Sequence, residues 1–405
     1  MSLNGTAYIV GAYEHPTRKA DTQSVLRLHA DVARGALADA GLTRDDIDGY
    51  FCAGDAPGLG TATVAEYLGL TLRHVDSTEC GGSAPILHVA HAAAAIAAGR
   101  CNVALITLAG RPRAAMAEAQ ARAKAALADG KPVRAPLALR PPDPDAPELA
   151  FELPYGPATQ NLYAMVAQRH MHEFGTTSEQ LAWIKVAASH HAQHNPHAML
   201  RDVVTVADVV GSPMVSHPLH RLDCCVMSDG GGALIVARPE IAKQLKRPLV
   251  MVRGTGEAPK HGMGGQIDLT YSAAAWSGPR AFAEAGVTPA DIQYASLYDS
   301  FTITVLMQLE DLGFCKKGEG GRFVADGGLI SGVGRLPFNT DGGGLCNNHP
   351  ANRGGITKVI EAVRQLRGEA HPAVQVPDCR LALASGIGGA LASRHTAATL
   401  ILERV

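Results

Sequence analysis

Ala36-Leu-Ala-Asp-Ala-Gly-Leu-Thr-Arg-Asp-Asp-Ile47 is answered 245 residues later by Ala281-Phe-Ala-Glu-Ala-Gly-Val-Thr-Pro-Ala-Asp-Ile292, with seven of twelve positions identical and no gap. An apolar opening strand precedes each copy, Ala7-Tyr-Ile-Val-Gly11 in one and Leu249-Val-Met-Val-Arg253 in the other. A period this long is no solenoid. It reads as two copies of one strand–helix–strand unit, and a ligand site between the halves is the expectation.

Working outward, Thr22 to Ala40 has the spacing of an amphipathic helix, with Val25, Leu28, Val32 and Ala36 on its inner face. Gly49 to Ala53 reads as a strand and Thr61 to Leu68 as a helix. Then comes Val75-Asp-Ser-Thr-Glu-Cys-Gly-Gly-Ser-Ala-Pro85. A strand ends there at Asp76, Gly81-Gly82 turns the chain, and an apolar helix runs from Ser83 to Ala98. Ser83 suits its N-cap, Pro85 its first turn, and Gly99 its end. Cys80 therefore sits in a strand–helix bend, where the helix dipole and free N–H groups favour a thiolate and an oxyanion. The competing reading is a cysteine buried as a small hydrophobe. Cys101 to Leu108 is apolar throughout, as in a parallel sheet.

From Arg111 to Pro157 the pattern changes. A charged, Ala-rich helix spans Ala114 to Ala128, and Pro136 to Pro147 is irregular. Arg111, Arg113, Arg122, Lys124, Lys131 and Arg134 make a phosphate-bearing ligand one expectation and a solvated face the other. Helices follow at Asn161 to Phe174 and Ser178 to His194. The second half reads as a strand into a polar bend, Tyr294-Ala-Ser-Leu-Tyr-Asp-Ser-Phe301, and a helix from Val305 to Leu312. Next come a glycine-rich loop from Gly318 to Gly334 and Pro337-Phe-Asn-Thr-Asp-Gly-Gly-Gly-Leu-Cys-Asn-Asn-His-Pro350. A helix from Gly355 to Leu366 and strands at Arg380 to Gly389 and Thr396 to Leu402 close the chain. The expected division is 1–110 with 201–245 as the first half, 111–200 as a covering loop region, and 246–405 as the second half.

A formal net charge of −2 over 405 residues implies neither nucleic acid nor an acidic partner. Eight cysteines without a CxxC pair, and 17 histidines without an HExxH, argue against a disulfide framework and a metal site. No signal segment or bilayer-length apolar run stands out, so the expectation is a soluble cytoplasmic protein.

The Cys80 bend, the Asn-His-Pro loop, Ser228-Asp-Gly230, Tyr298-Asp-Ser-Phe301, Leu309-Glu-Asp-Leu-Gly-Phe314, Asn339-Thr-Asp-Gly-Gly343 and Gly386-Ile-Gly-Gly389 together resemble the thiolase superfamily. The likeness spans the chain and is strongest to sterol-carrier-protein-type thiolases and bacterial lipid-transfer-like thiolases. It implies a five-layered αβαβα fold with two buried sheets, a loop region that helps bind coenzyme A, and a homodimer. Coenzyme A would be a substrate, with no cofactor bound permanently. Carried over by motif, Cys80 is the acyl-accepting nucleophile and His349 its base. Gly388, Asn348 and Ser300 would line the oxyanion site, and Gly386 and Asn339 the substrate. Two departures stand out. The family's C-terminal Cys-x-Gly cysteine aligns with Gly386, and its His-Asp-Cys-Phe reads Tyr298-Asp-Ser-Phe301, which leaves Tyr298 as the candidate proton donor. The leading expectation is thiolytic cleavage of a branched or aromatic 3-oxoacyl-CoA, of which benzoylsuccinyl-type thioesters are one class. The alternatives are a tyrosine-based retro-aldolase on a β-hydroxyacyl-CoA, and a non-catalytic acyl-CoA or lipid carrier or partner subunit. Relatives with these departures also imply a small zinc-ribbon/OB-fold partner protein.

Overall fold

The computed structural model describes residues 2–53, 56–129, 152–156, 158–263 and 266–405. The irregular stretch from Pro136 to Pro147, with Lys131 and Arg134, lies outside them. The first half comprises β1 (Tyr8–Glu14), α1 (Val25–Ala40), β2 (Gly49–Cys52), α2 (Thr61–Leu68), β3 (His74–Ser77), α3 (Ala84–Ala97) and β4 (Val103–Gly110). The intervening region holds α4 (Pro112–Ala128), α5 (Thr159–Phe174), α6 (Ser178–Ala192) and a hairpin of β5 (Met214–Ser216) and β6 (Leu219–His220). β7 (Gly230–Ala237) returns to the first half. The second half is β8 (Val250–Lys260), α7 (Ala274–Ala285), β9 (Tyr294–Leu297), α8 (Thr302–Asp311), α9 (Gly355–Arg367), β10 (Leu381–Gly389) and β11 (His395–Arg404).

The repeated segment folds the same way twice because it keeps the residues that stop a helix and close a turn. Gly41 ends α1 at φ 70°, and Gly286 ends α7 at φ 65°. A left-handed stop of this kind favours glycine. In the first copy Asp46 accepts the Thr43 N–H and O–H at 2.8 and 2.9 Å. In the second, Asp291 accepts both from Thr288 at 2.8 Å. Helix α1 begins at Val25, later than its apolar spacing predicts, because the Ser24 hydroxyl accepts the Arg27 N–H and fixes the cap there.

The strands run β3-β2-β4-β7-β1-β8-β11-β10-β9 in one hydrogen-bonded sheet. Read outward from the middle, 1-7-4-2-3 and 8-11-10-9 are one topology used twice. The second half's counterpart of β3 is reduced to a single parallel bridge between Ala295 and Phe338. The two half-sheets meet through the pairs Tyr8–Met251 and Ile9–Val250, and beside them Val252 donates its N–H to the Ala7 carbonyl and accepts that of Gly5. The two buried sheets that the resemblance implied are thus joined along one short seam. Helix α3 packs on β4 and β7 of one half and on β10 and β11 of the other, and α9 likewise touches β1, β7, β9 and β10. Both helices are therefore sandwiched between the half-sheets in one apolar core. Helix α1 covers the outer face of the first half-sheet and α7 that of the second. The layers are αβαβα, as the resemblance implied. No described helix is long and apolar enough to cross a membrane.

Candidate active site

The bend at Cys80 exists because four glycines let backbones touch. A methyl on Gly388 would stand 1.5 Å from the Cys80 carbonyl oxygen, and one on Gly355 would stand 2.0 Å from that of Gly82. One on Gly386 would lie 2.7 Å from the same Gly82 oxygen, and one on Gly82 would lie 2.4 Å from the Tyr298 ring. Strand β10 and the start of α9 are thus pressed onto the turn after Cys80. The Cys80 carbonyl accepts the hydroxyls of Ser83 at 2.7 Å and Thr396 at 3.0 Å. Ser83 flanks α3 at its N-cap position, but its hydroxyl serves Cys80 and makes no cap hydrogen bond.

The Cys80 thiol is half-buried and lines a cavity of about 230 Å³ with Thr78, His91, Glu257, Pro259 and Thr396. Burial raises its pKa, and the carboxylates of Glu79 and Glu257 raise it further. Desolvation and these two negative charges oppose the thiolate that the helix end was expected to favour. Glu79 also takes the Gly81 N–H at 3.0 Å.

His349 stands against Tyr298, with ring centroids 5.4 Å apart. Its backbone N–H donates to the Ser228 hydroxyl at 2.9 Å, and its ring Nε2 is buried with no hydrogen-bond partner among the described residues. Burial holds the imidazole pKa at about 4, with Lys358 assisting against the pull of Asp299. Tyr298 is 5 % exposed. Its hydroxyl makes a long contact, 3.5 Å, to the Ala351 carbonyl. Burial pushes this phenol well above its ordinary pKa, and Tyr163, Cys225 and Asp299 push the same way. Both groups are therefore neutral at neutral pH.

The structure brings Tyr298 and His349 together and sets the Cys80 bend beside Tyr298 through Gly82. Among the described residues no hydrogen bond joins Cys80 to His349, and the charges that act on the two groups differ. Asn339 spends both ends of its amide on the Leu297 backbone, at 2.8 and 2.9 Å. Asn348 bridges Glu14 and Ser228, and Ser300 meets the Thr304 hydroxyl at 3.1 Å. Gly386 and Gly388 carry the steric roles given above.

Three participants escaped the sequence reading. Tyr163 of α5 stacks on Phe301 at 4.4 Å and donates to the Gly389 carbonyl. Asp299 accepts the N–H groups of Gly344 and Leu345 and the Lys358 ammonium, at 2.8, 3.1 and 2.7 Å, which pins the loop ahead of His349. The signal for Lys358 was a lone charge among Ile356, Val359 and Ile360 on a core helix. No group of three or more His, Cys, Asp or Glu side chains among the described residues is arranged to hold a metal.

Acid should loosen this fold. His29, His88, His191, His349 and His395 are each held near 4, chiefly by burial. An unfolded imidazole titrates near 6.5. Between those values the unfolded chain binds protons that the folded chain refuses, so stability falls as pH drops from 6.5 to 4. Each imidazole contributes up to about 3 kcal/mol at the lower end. Glu361, raised by burial to about 7, acts oppositely in the same window, and burial also raises Asp223, Asp311 and Asp341. Thermal melts from pH 7 to pH 4 are expected to show a steep fall in Tm; a flat profile contradicts the assignment.

Residues 255–404 match the thiolase C-terminal domain-like family. The chain is 34% identical over 379 residues to a steroid side-chain-cleaving aldolase of Thermomonospora curvata, covering 90% of this chain and 91% of that one. It is 38% identical over 261 residues to an acetyl-CoA acetyltransferase of Methanothermobacter thermautotrophicus, covering 64% of this chain and 67% of that one. Among solved structures, the Ltp2-ChsH2(DUF35) aldolase matches with a TM-score of 0.85 and 32% identity over 99% of this chain and 98% of that one. The chain belongs to the thiolase superfamily, as an enzyme.

Proposed function

We propose that this enzyme cleaves a β-hydroxyacyl-CoA by a retro-aldol reaction, with His349 as proton acceptor and Tyr298 as proton donor. The observation that carries this reading is the pairing itself: a neutral phenol beside a neutral imidazole whose Nε2 is uncommitted, with no hydrogen bond from His349 to Cys80 among the described residues. The imidazole takes the β-hydroxyl proton, and the oxygen closes to a carbonyl. The bond between Cα and Cβ breaks, its electron pair enters the thioester enolate, and the phenol protonates Cα. A carbonyl compound and a shortened acyl-CoA leave. Positioned proton transfer of this kind is typically worth 10²–10⁴-fold. No step needs a nucleophilic thiol, so glycine at 386 and a raised Cys80 pKa are no obstacle. Similarity to the steroid side-chain-cleaving aldolase over nine-tenths of both chains supports the same reading.

Thiolysis through Cys80 is the second reading, favoured by the partial exposure of that thiol in a cavity. Free coenzyme A distinguishes the two. Retro-aldol cleavage should proceed without it, and Cys80→Ser should keep its rate within about threefold, because the thiol takes no part in proton transfer. Cleavage of a 3-oxoacyl-CoA that consumes one coenzyme A per turnover and stops in Cys80→Ser sinks the aldolase reading. We also propose a second, small zinc-ribbon/OB-fold protein as working partner. The two-component name of the Ltp2-ChsH2(DUF35) aldolase supports assaying the chain with and without one.

A further inference from the structure

We propose that Glu14 and Arg18, both from the first half, position His349 of the second half by clamping the two asparagines that precede it. This inference rests on His349 being the proton acceptor. Glu14 stands at the end of β1, buried, and one of its oxygens accepts three donors: Arg18 Nη2 at 2.6 Å, Asn348 Nδ2 at 3.0 Å and Asn347 Nδ2 at 3.2 Å. Its other oxygen accepts Arg364 of α9 at 3.2 Å. Arg18 returns to the same loop, donating to the Asn347 side-chain oxygen at 2.7 Å and to its carbonyl at 3.2 Å. From Asn348 the chain continues: its oxygen accepts the Ser228 hydroxyl at 2.7 Å, and that hydroxyl accepts the His349 N–H at 2.9 Å. An unbroken run of hydrogen bonds thus leads from β1 to the backbone of the imidazole.

A loop that needed only to be folded could satisfy these groups with backbone or water. This one employs a buried ion pair drawn from the opposite half, and the cost of desolvating such a pair is offset only by close geometry and further hydrogen bonds, which the asparagines and Arg364 supply here. Burial pushes the Glu14 pKa up, but Arg18 and Arg364 overcome it and hold the carboxyl at about 2, so the clamp is charged at every working pH. Glu14 is bonded by Arg18, Arg364, Asn347 and Asn348, with Asp341 on the far side of Asn347 and Glu361 sharing Arg364, and the charges of His15 and Lys358 also act on it. A cavity of about 240 Å³ opens over Glu14, Arg18, Asp341, Glu361 and Arg364, away from the lining of the Cys80 cavity.

The test follows the histidine ring signals of the full-length protein by NMR through a pH titration, with the His349 resonance assigned by its loss in His349→Gln. In wild type it should titrate near 4. In Glu14→Gln the loop loosens, water reaches the ring, and the midpoint should rise by at least one unit towards the free value of about 6.5. In the cleavage assay kcat should fall about tenfold with KM within about twofold, because proton transfer and not binding is disturbed. Arg18→Lys keeps the charge but loses the fork, and should shift the titration in the same direction by less. Should Glu14→Gln fail to fold, Arg18→Lys decides. An unmoved His349 titration in a folded variant overturns the clamp. Wild-type protein inert towards every β-hydroxyacyl-CoA overturns the proposed reaction instead, and the titration still answers for the clamp.

Discussion

Tyr298→Phe is expected to lower the cleavage rate by roughly three orders of magnitude while leaving the protein folded. The ring itself is structural: it fills the space that the missing Gly82 side chain leaves and stands against His349. Phenylalanine keeps all of that. The hydroxyl contributes one long contact, 3.5 Å to the Ala351 carbonyl, so its loss should cost under about 1 kcal/mol of stability. What disappears is the proton that the enolate carbon needs. Because the buried phenol is held above its ordinary pKa, it is protonated and ready to give at any working pH. Steady-state kcat and KM beside a thermal melt make the measurement. A folded Tyr298→Phe enzyme within threefold of wild type removes the tyrosine from the chemistry. If that enzyme is active and Cys80→Ser is dead, the reaction is thiolysis.

The second large effect is structural. Gly388→Ala should cost more than about 4 kcal/mol, enough to prevent folding or to lower Tm by many degrees. The added methyl would sit 1.5 Å from the Cys80 carbonyl oxygen and 2.6 Å from its carbon. Neither side can yield. That oxygen is held by Ser83 and Thr396, and Gly388 is itself paired with Thr396 in the β10–β11 ladder. Gly368→Ala supplies the control: its φ is 73°, but nothing lies within 4 Å of the added carbon. Strain alone should cost about 1–2 kcal/mol there. Equal losses in the two variants, read from urea midpoints, would falsify the close-packing account of the Cys80 bend.

What the sequence disclosed follows the range of the forces involved. The duplicated segment was legible because Gly41, Thr43 and Asp46, with Gly286, Thr288 and Asp291, act within a few residues of themselves. Helix stops and the αβαβα layering came from the same short-range punctuation and from the motif likeness. The state of the Cys80 thiol did not. It depends first on burial, then on the neighbouring Glu79 and on Glu257, 177 positions away in sequence; no local pattern reports the burial or that last proximity. Asn339 and Asn348 looked like ligand-facing amides, yet their amides are committed to Leu297, Glu14 and Ser228. A polar side chain in a glycine-rich loop gives the same one-letter signal whether it faces a substrate or braces a backbone. Lys358 shows the converse: a charge in an apolar helix face was visible, but its partner Asp299 was named only by the fold.

The reduction of one strand to the Ala295–Phe338 bridge leaves the sheet with unlike rims. At β9 the outward backbone groups are plugged: Ala295 bonds to Pro337 and Asn339, and Leu297 to the Asn339 amide. At the opposite rim β3 lies half-exposed, with β2 its one ladder partner among the described residues. A ribbon with one sealed margin cannot be extended copy after copy. A strand added to this sheet therefore has one margin open to it, that of β3, because the backbone groups along β9 are already committed.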